Sequence, residues 1–146
     1  MPLRLPIPVV LLGRTTAVGK PVSQFLRPEY EVIHFITSDE AAYAELPRLL
    51  AGQDPQAANP NDIGTRNYTE PPRVLIFGRG YTPELVKEFQ KACAESIKQP
   101  VAWVVGDPAK MPTAPPGPGY AEVVTNKVKG VLETWKEEGG SRDVAV

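Results

Sequence analysis

The chain has 146 residues, of which 42% are hydrophobic and 23% are charged, and this composition is typical of one globular domain. Sixteen basic and 17 acidic residues give a net charge of −1, so there is no electrostatic reason to expect nucleic acid or an anionic membrane surface as a partner. The single cysteine, Cys93, excludes an internal disulfide, and no apolar run approaches membrane-spanning length. We therefore expect a cytoplasmic protein.

The first half of the chain alternates between strand and helix patterns. Residues 7–12 form a short apolar run that predicts a buried strand, and residues 20–26 predict a short helix. The stretch "EVIHFI", residues 31–36, predicts a second strand. Ser38 is a good N-cap for a helix that ends at Gly52.

The second half continues this alternation after a polar insertion, 53–72, which we interpret as a mobile surface loop, with a lid as the alternative. The segments with regular patterns are a strand at 73–77, a helix opening at Thr82-Pro83, a strand at 101–105 and a helix over 121–138. A Pro/Gly-rich loop at 112–119 separates the last strand from the last helix. We expect one domain over 1–140 and a tail over 141–146.

Apolar strands separated by helices predict an α/β domain of three layers, with a parallel sheet and helices on both faces. The expected sheet has four strands in the order 3-2-1-4. Ligands of such sheets sit at the carboxyl ends of the strands beside the point where the strand order reverses. That point would lie between the first and fourth strands, whose ends carry the turn at Gly13 and the turn at Gly106.

The stretch "GRTTAVGK" that follows the first strand is the main candidate for a phosphate-binding loop. Gly13 allows a sharp turn, and Gly19 allows the next helix to pack close to a strand. Backbone N–H groups from Thr15 and Thr16 would face a pyrophosphate at the helix N-terminus, and Arg14 would add charge. The alternative interpretation is an ordinary strand-to-helix turn without a ligand.

The stretch "LLGRTTAVGKPV" resembles the "GATGxxG" loop of atypical short-chain dehydrogenases and NmrA-like regulators, over the first half of the chain. In this match Gly13 and Gly19 take the first and last glycine positions, Thr15 takes the threonine, and Thr16 replaces the middle glycine. The resemblance implies a Rossmann-like domain that binds NAD or NADP.

The end of the second strand bears on which cofactor is bound. NAD-binding domains place an acidic residue there for the ribose hydroxyls. This chain instead has Thr37 and Ser38, which together with Arg14 could hold a 2′-phosphate, so the sequence favours NADP over NAD. Ordinary helix capping also explains Ser38.

The exit of the third strand, "FGRGYTPE", is a second candidate for a nucleotide contact. Gly78 and Gly80 flank Arg79, and Tyr81 precedes a helix, so a cation and a flat ring could face an adenine and its phosphates. A plain glycine turn is the alternative. The stretches "VLIFGRGYTPELVKEF" and "PVAWVVGD" also resemble small CoA-binding Rossmann domains, which implies CoA as an alternative ligand.

Recognisable catalytic chemistry is missing from the sequence. No tyrosine has a lysine four residues later, the pair that short-chain dehydrogenases use for proton transfer. His34, the single histidine, lies inside a predicted strand and is interpreted as a packed or hydrogen-bonded residue. Cys93 is interpreted as a core residue, so no metal site is expected. Whether the protein is an enzyme stays open.

These observations predict a small NAD(P)-binding Rossmann-like protein that is a sensor-like module or a minimal oxidoreductase subunit. A CoA- or adenine-nucleotide-binding module and a ligand-free assembly protein are the alternatives. We also expect a homodimer, since a four-stranded sheet leaves two open edges and the last helix is strongly apolar. The expected contact residues are Val128, Val131, Leu132 and Trp135.

Overall fold

The computed structural model describes residues 7–13, 16–27, 29–54, 64–68, 71–78, 81–96, 101–105, 120–137 and 144–145. Helices and strands alternate along these residues, as the sequence predicts. The strands are β1 (Ile7–Leu12), β2 (Tyr30–Ile36), β3 (Val74–Phe77), β4 (Ala102–Val105) and β5 (Val144–Ala145). The helices are α1 (Thr16–Phe25), α2 (Asp39–Leu50), α3 (Pro83–Cys93) and α4 (Tyr120–Glu137).

All described strands pair in parallel in one sheet with the order β2-β1-β3-β4-β5. The predicted α/β class is therefore confirmed, but the predicted order 3-2-1-4 is wrong. The chain returns from β2 across β1, so β3 lies beside β1 and not beyond β2. The predicted tail, 141–146, contributes the short strand β5 at the outer edge of β4.

Two apolar clusters fill the space on the two faces of the sheet, which confirms the expected three layers. One cluster joins the sheet to α2 and α3, and the other joins it to α1 and α4. β1 is buried along its whole length because helices cover both of its faces. Cys93 lies in the first cluster, as predicted, and burial raises the pKa of its thiol to about 11.

The apolar side of α4 packs inside its own chain. Trp135 is 0% exposed, and Val128 and Leu132 are buried beside it in the cluster that includes α1. These three side chains are therefore not available for the predicted dimer contact, whereas Val131, the fourth residue of that prediction, is partly buried. The three buried side chains pack with residues of α1 and of the sheet in that cluster.

Helix starts follow the local sequence signals. The Ser38 hydroxyl accepts a hydrogen bond from the Ala41 N–H at 3.1 Å, and Thr82 accepts one from Leu85 at the same distance. α1 differs from the prediction, because it begins at Thr16 and not at Lys20. No helix within the described residues is long and apolar enough to cross a membrane.

β2 contains an irregularity that decides where one polar side chain points. Val9 pairs with Val32 and Val10 pairs with His34, so Ile33 is an extra residue on β2. This bulge interrupts the alternation of side chains between the two faces. Ile33 and the next residue consequently both lie on the α2 side of the sheet, where His34 meets Glu45 of α2.

Candidate functional site

The carboxyl ends of the three neighbouring strands β2, β1 and β3 are held together by backbone hydrogen bonds. The Gly13 N–H donates to the Ile36 carbonyl at 3.0 Å, and the Gly78 N–H donates to the Leu12 carbonyl at 2.8 Å. A Cβ atom at Gly78 would lie 3.2 Å from the Leu12 oxygen, which is a tight contact. A glycine therefore suits this position, where the turn after β3 closes against the end of β1.

The strand order reverses between β1 and β3, so the point favoured for ligands lies there and not between β1 and β4. In the observed order, the predicted site residues Gly13 and Gly78 lie close together, because they follow the adjacent strands β1 and β3. β4, which precedes Gly106 in the sequence, lies two strand spacings or ~10 Å from β1, and Gly106 itself lies outside the described residues.

Gly19 has the packing role that the sequence predicts. A Cβ atom at this position would lie 2.4 Å from Cε2 and 2.6 Å from Cζ of Phe35 on β2. No real Cβ atom approaches a ring carbon so closely, because carbon atoms in contact are separated by about 3.5–4.0 Å. Glycine is therefore what allows α1 to lie directly against the sheet.

The other predicted site residues have mixed outcomes. Thr37 is exposed at the end of β2, next to the turn at Gly13. Ser38 caps α2, as its alternative interpretation states. Thr16 is the first residue of α1. Four predicted features, Arg14, Thr15, Arg79 and Gly106, lie outside the described residues, as does the side chain of Thr16.

Tyr81 does not face the ligand edge. It is 2% exposed, and its ring packs edge-on to Phe77 with centroids 5.7 Å apart. Phe89 of α3 lies on another side of the same ring at 6.4 Å. The prediction that Tyr81 stacks on an adenine is therefore wrong, because this residue, which precedes α3, is buried in the apolar cluster with Phe77 and Phe89.

A second polar arrangement lies on the α2 side of β2. His34 Nε2 is 2.5 Å from Glu45 Oε1, and His34 Nδ1 is 2.9 Å from the Tyr68 hydroxyl. His34 and Glu45 are 6% and 7% exposed, whereas Tyr68 is half-buried. The interpretation of His34 as a hydrogen-bonded residue is confirmed, and each polar atom of its ring has a partner.

We call these three hydrogen-bonded residues, His34, Glu45 and Tyr68, the buried clasp. A carboxylate, an imidazole and a hydroxyl in series match the order of a nucleophile activated by a base. Burial raises the pKa of Tyr68, and the carboxylates of Asp54 and Glu45 raise it further, while Arg66 lowers it. Tyr68 thus stays protonated and available as a hydrogen-bond donor.

One feature of the sequence, the position of Glu45 in α2, indicates this clasp, and it is not among the predictions made above. Glu45 lies on the same side of α2 as Ala42, Leu46 and Leu49, all of them buried. A charged residue within an apolar helix stripe indicates a buried partner, because an unpaired buried charge is strongly unfavourable. The contribution of Tyr68 has no comparable local signal, because it lies 34 residues from His34.

The fold therefore defines a small parallel α/β protein with the strand order 2-1-3-4-5, which flavodoxin-like folds share. Kojic acid related protein 6 of Aspergillus oryzae is 36% identical to this chain over 135 residues, which make up 92% of this chain and 80% of that protein. The chain belongs to the family of that protein. No protein-family profile and no solved structure matches the chain.

Proposed function

We propose that this protein is a nucleotide-binding module that holds the phosphates of a dinucleotide over the ends of β1 and β3, with NADP(H) preferred over NAD(H). The observation that carries the proposal is the coincidence of two glycine turns, at Gly13 and Gly78, with the reversal point of the sheet. α1 begins three residues after Gly13, so its first N–H groups are directed toward the same edge.

The preference for NADP rests on the end of β2 and on the first loop. Because the Ser38 hydroxyl already accepts a hydrogen bond in capping α2, Thr37 and Arg14 are the groups proposed to hold a 2′-phosphate. Thr37, which follows β2, is not the acidic residue that NAD-binding domains place there for the ribose hydroxyls. We propose a sensor-like module or a minimal oxidoreductase subunit in the cytoplasm.

FMN is the second candidate ligand, and the strand order supports it. Flavodoxin has the same strand order, 2-1-3-4-5, and binds FMN at its β1/β3 reversal point. CoA and ATP remain alternatives from the sequence, and a ligand-free assembly protein is the outcome if none of these ligands binds.

A fluorescence-detected thermal shift series tests these ligands side by side. The series contains NADPH, NADP, NADH, NAD, FMN, CoA and ATP, together with kojic acid, to which the name of the relative refers. A ligand at one hundred times its dissociation constant stabilises by about 2.7 kcal/mol, or roughly 5 to 10 °C for a domain of this size. No shift with any nucleotide would contradict the proposal.

Gly13→Val tests the position of the phosphates. A Cβ atom here would lie 3.4 Å from the Phe35 ring, an ordinary contact, so we expect the variant to fold but to lose the ligand-induced shift. Gly130→Val is the matched control, because a Cβ atom there has nothing within 4 Å. Unchanged ligand binding in folded Gly13→Val would remove the site from this edge.

Arg14→Ala tests the cofactor preference. We expect a larger loss of affinity for NADP(H) than for NAD(H), because only NADP(H) carries the extra phosphate that a guanidinium can grip. Equal losses for both cofactors, measured by calorimetry, would assign Arg14 to the shared pyrophosphate or to the solvent-facing surface.

The predicted homodimer remains a separate proposal, without α4 as its contact. Light scattering tests it directly, since a dimer has twice the 15.9 kDa mass of the chain. A mass of one chain at all concentrations would rule it out.

A further inference from the structure

β2 pairs with β1 on one side, and on its other side no strand is present among the described residues. Residues 31–36, "EVIHFI", are β-branched or aromatic at most positions, contain no proline and carry one acidic side chain. Segments of this composition at a sheet edge pair readily with another strand. The edge therefore needs a cover.

Residues 64–68, which we call the edge strap, run along the outer side of β2. The Thr65 N–H donates to the Val32 carbonyl at 2.9 Å, and the Arg66 N–H donates to the Ile33 carbonyl at 2.9 Å. Two consecutive carbonyls of a regular strand would point in opposite directions. The bulge at Ile33 is what turns both of them toward the strap.

Gly64 allows the strap to approach this closely. A Cβ atom at Gly64 would lie 2.5 Å from the Ile33 oxygen and 2.7 Å from the His34 nitrogen. Both neighbours are backbone atoms, which cannot move aside without disturbing β2. Arg66 has a φ of 63°, a left-handed conformation that is unfavourable for arginine and persists where the surrounding contacts hold it.

The side chains of the strap bind the edge at two points. Thr65 Oγ1 donates to Glu31 Oε2 at 2.7 Å, and Asn67 Nδ2 donates to Glu31 Oε1 at 3.4 Å. Tyr68 binds His34 of the buried clasp. Residues 65–67 are exposed, so water competes for all of these contacts except the one at Tyr68. Elements held in this way open locally while the core stays folded.

We infer that the outer edge of β2 is a latent self-pairing surface, which the strap keeps closed. When the strap leaves, the freed backbone groups of β2 pair with those of β2 from a second copy of this chain. A two-fold antiparallel arrangement centred on residues 31–36 places Glu31 opposite Ile36, so no like charges meet. This inference is independent of the proposed nucleotide site, which lies at the ends of β1 and β3.

Gly64→Val tests the inference, with Gly130→Val as the matched control. Amide hydrogen exchange monitors Thr65 and Arg66, and light scattering measures the mass over a concentration series. In Gly64→Val we expect these two amides to lose protection and the mass to rise toward twice that of the wild type. The amides of β1 should stay protected, and the outer-edge amides of β2 should be protected in the dimer. The control should behave as the wild type.

Thr65→Pro is the second variant, used if Gly64→Val does not fold. It removes the N–H that donates to Val32 without adding bulk at Gly64. Loss of strap protection without a change in mass overturns the inference. So does a rise in mass with exposed β2 edge amides, because association then occurs elsewhere. An Arg66 amide that stays protected in both variants would also overturn it.

Discussion

Gly19→Ala is a sensitive test of the packing between α1 and the sheet. The added methyl carbon would lie 2.4 Å from the Phe35 ring, more than 1 Å inside a normal contact, so α1 or the ring must move. The ring is 2% exposed and lies in the cluster with Val22, Leu26 and Trp135, which leaves it no free space.

Two opposing energies decide the outcome. Overpacking of this kind costs about 1 to 3 kcal/mol, whereas replacing glycine by alanine inside a helix gains up to about 1 kcal/mol. We expect Gly19→Ala to lower the free energy of unfolding by about 1 to 2 kcal/mol. Gly130→Ala has the same helical gain without the contact, so it should be neutral or stabilising.

Urea unfolding monitored by circular dichroism measures both variants, and an unchanged m-value shows that the unfolded state is comparable. Phe35→Leu in the Gly19→Ala background should recover part of the loss, with a coupling energy of about 0.5 kcal/mol or more. Gly19→Ala as stable as Gly130→Ala, or fully additive effects of the two substitutions, would refute this account of the close approach.

His34→Phe should lower the free energy of unfolding by about 3 to 5 kcal/mol near neutral pH, because it leaves Glu45 buried without its partner. Glu45→Gln keeps a hydrogen-bond acceptor for His34, so it should lower the free energy of unfolding by less in the same urea assay. Ser38→Ala should cost about 1 kcal/mol through loss of the cap, with or without nucleotide. Asp54→Asn should lower the raised pKa of Tyr68, because the Asp54 carboxylate contributes to that increase. A pH titration of the tyrosinate absorbance measures this pKa, and the signal of Tyr68 is the part that is missing in Tyr68→Phe. Folding raises the pKa of Tyr68 above its value of 10.0 in the unfolded chain. The contribution of the neutral phenol to the free energy of unfolding is therefore fully present below pH 10.0, and it is lost as the pH rises through the pKa of the folded state.

The sequence by itself determined the features that depend on near neighbours in the chain. Apolar runs and helical periodicity identified β1 to β4 and the four helices, and the hydroxyls of Ser38 and Thr82 marked the starts of α2 and α3. Gly19 was identified as a point of close packing between the first helix and a strand, although only the structure places it inside that helix. Each of these signals acts over a few residues, and packing elsewhere in the protein does not reverse it.

The tertiary structure alone decided the arrangement of these elements. The side chains of the apolar strands do not specify whether β3 lies beyond β2 or beside β1, so the strand order and the reversal point between β1 and β3 follow only from the structure. The bulge at Ile33 places the His34 side chain on the α2 face of the sheet, and Tyr68, which is 34 residues away in the sequence, forms a hydrogen bond with His34. Such long-range contacts depend on how the whole core closes, which the local sequence pattern does not encode.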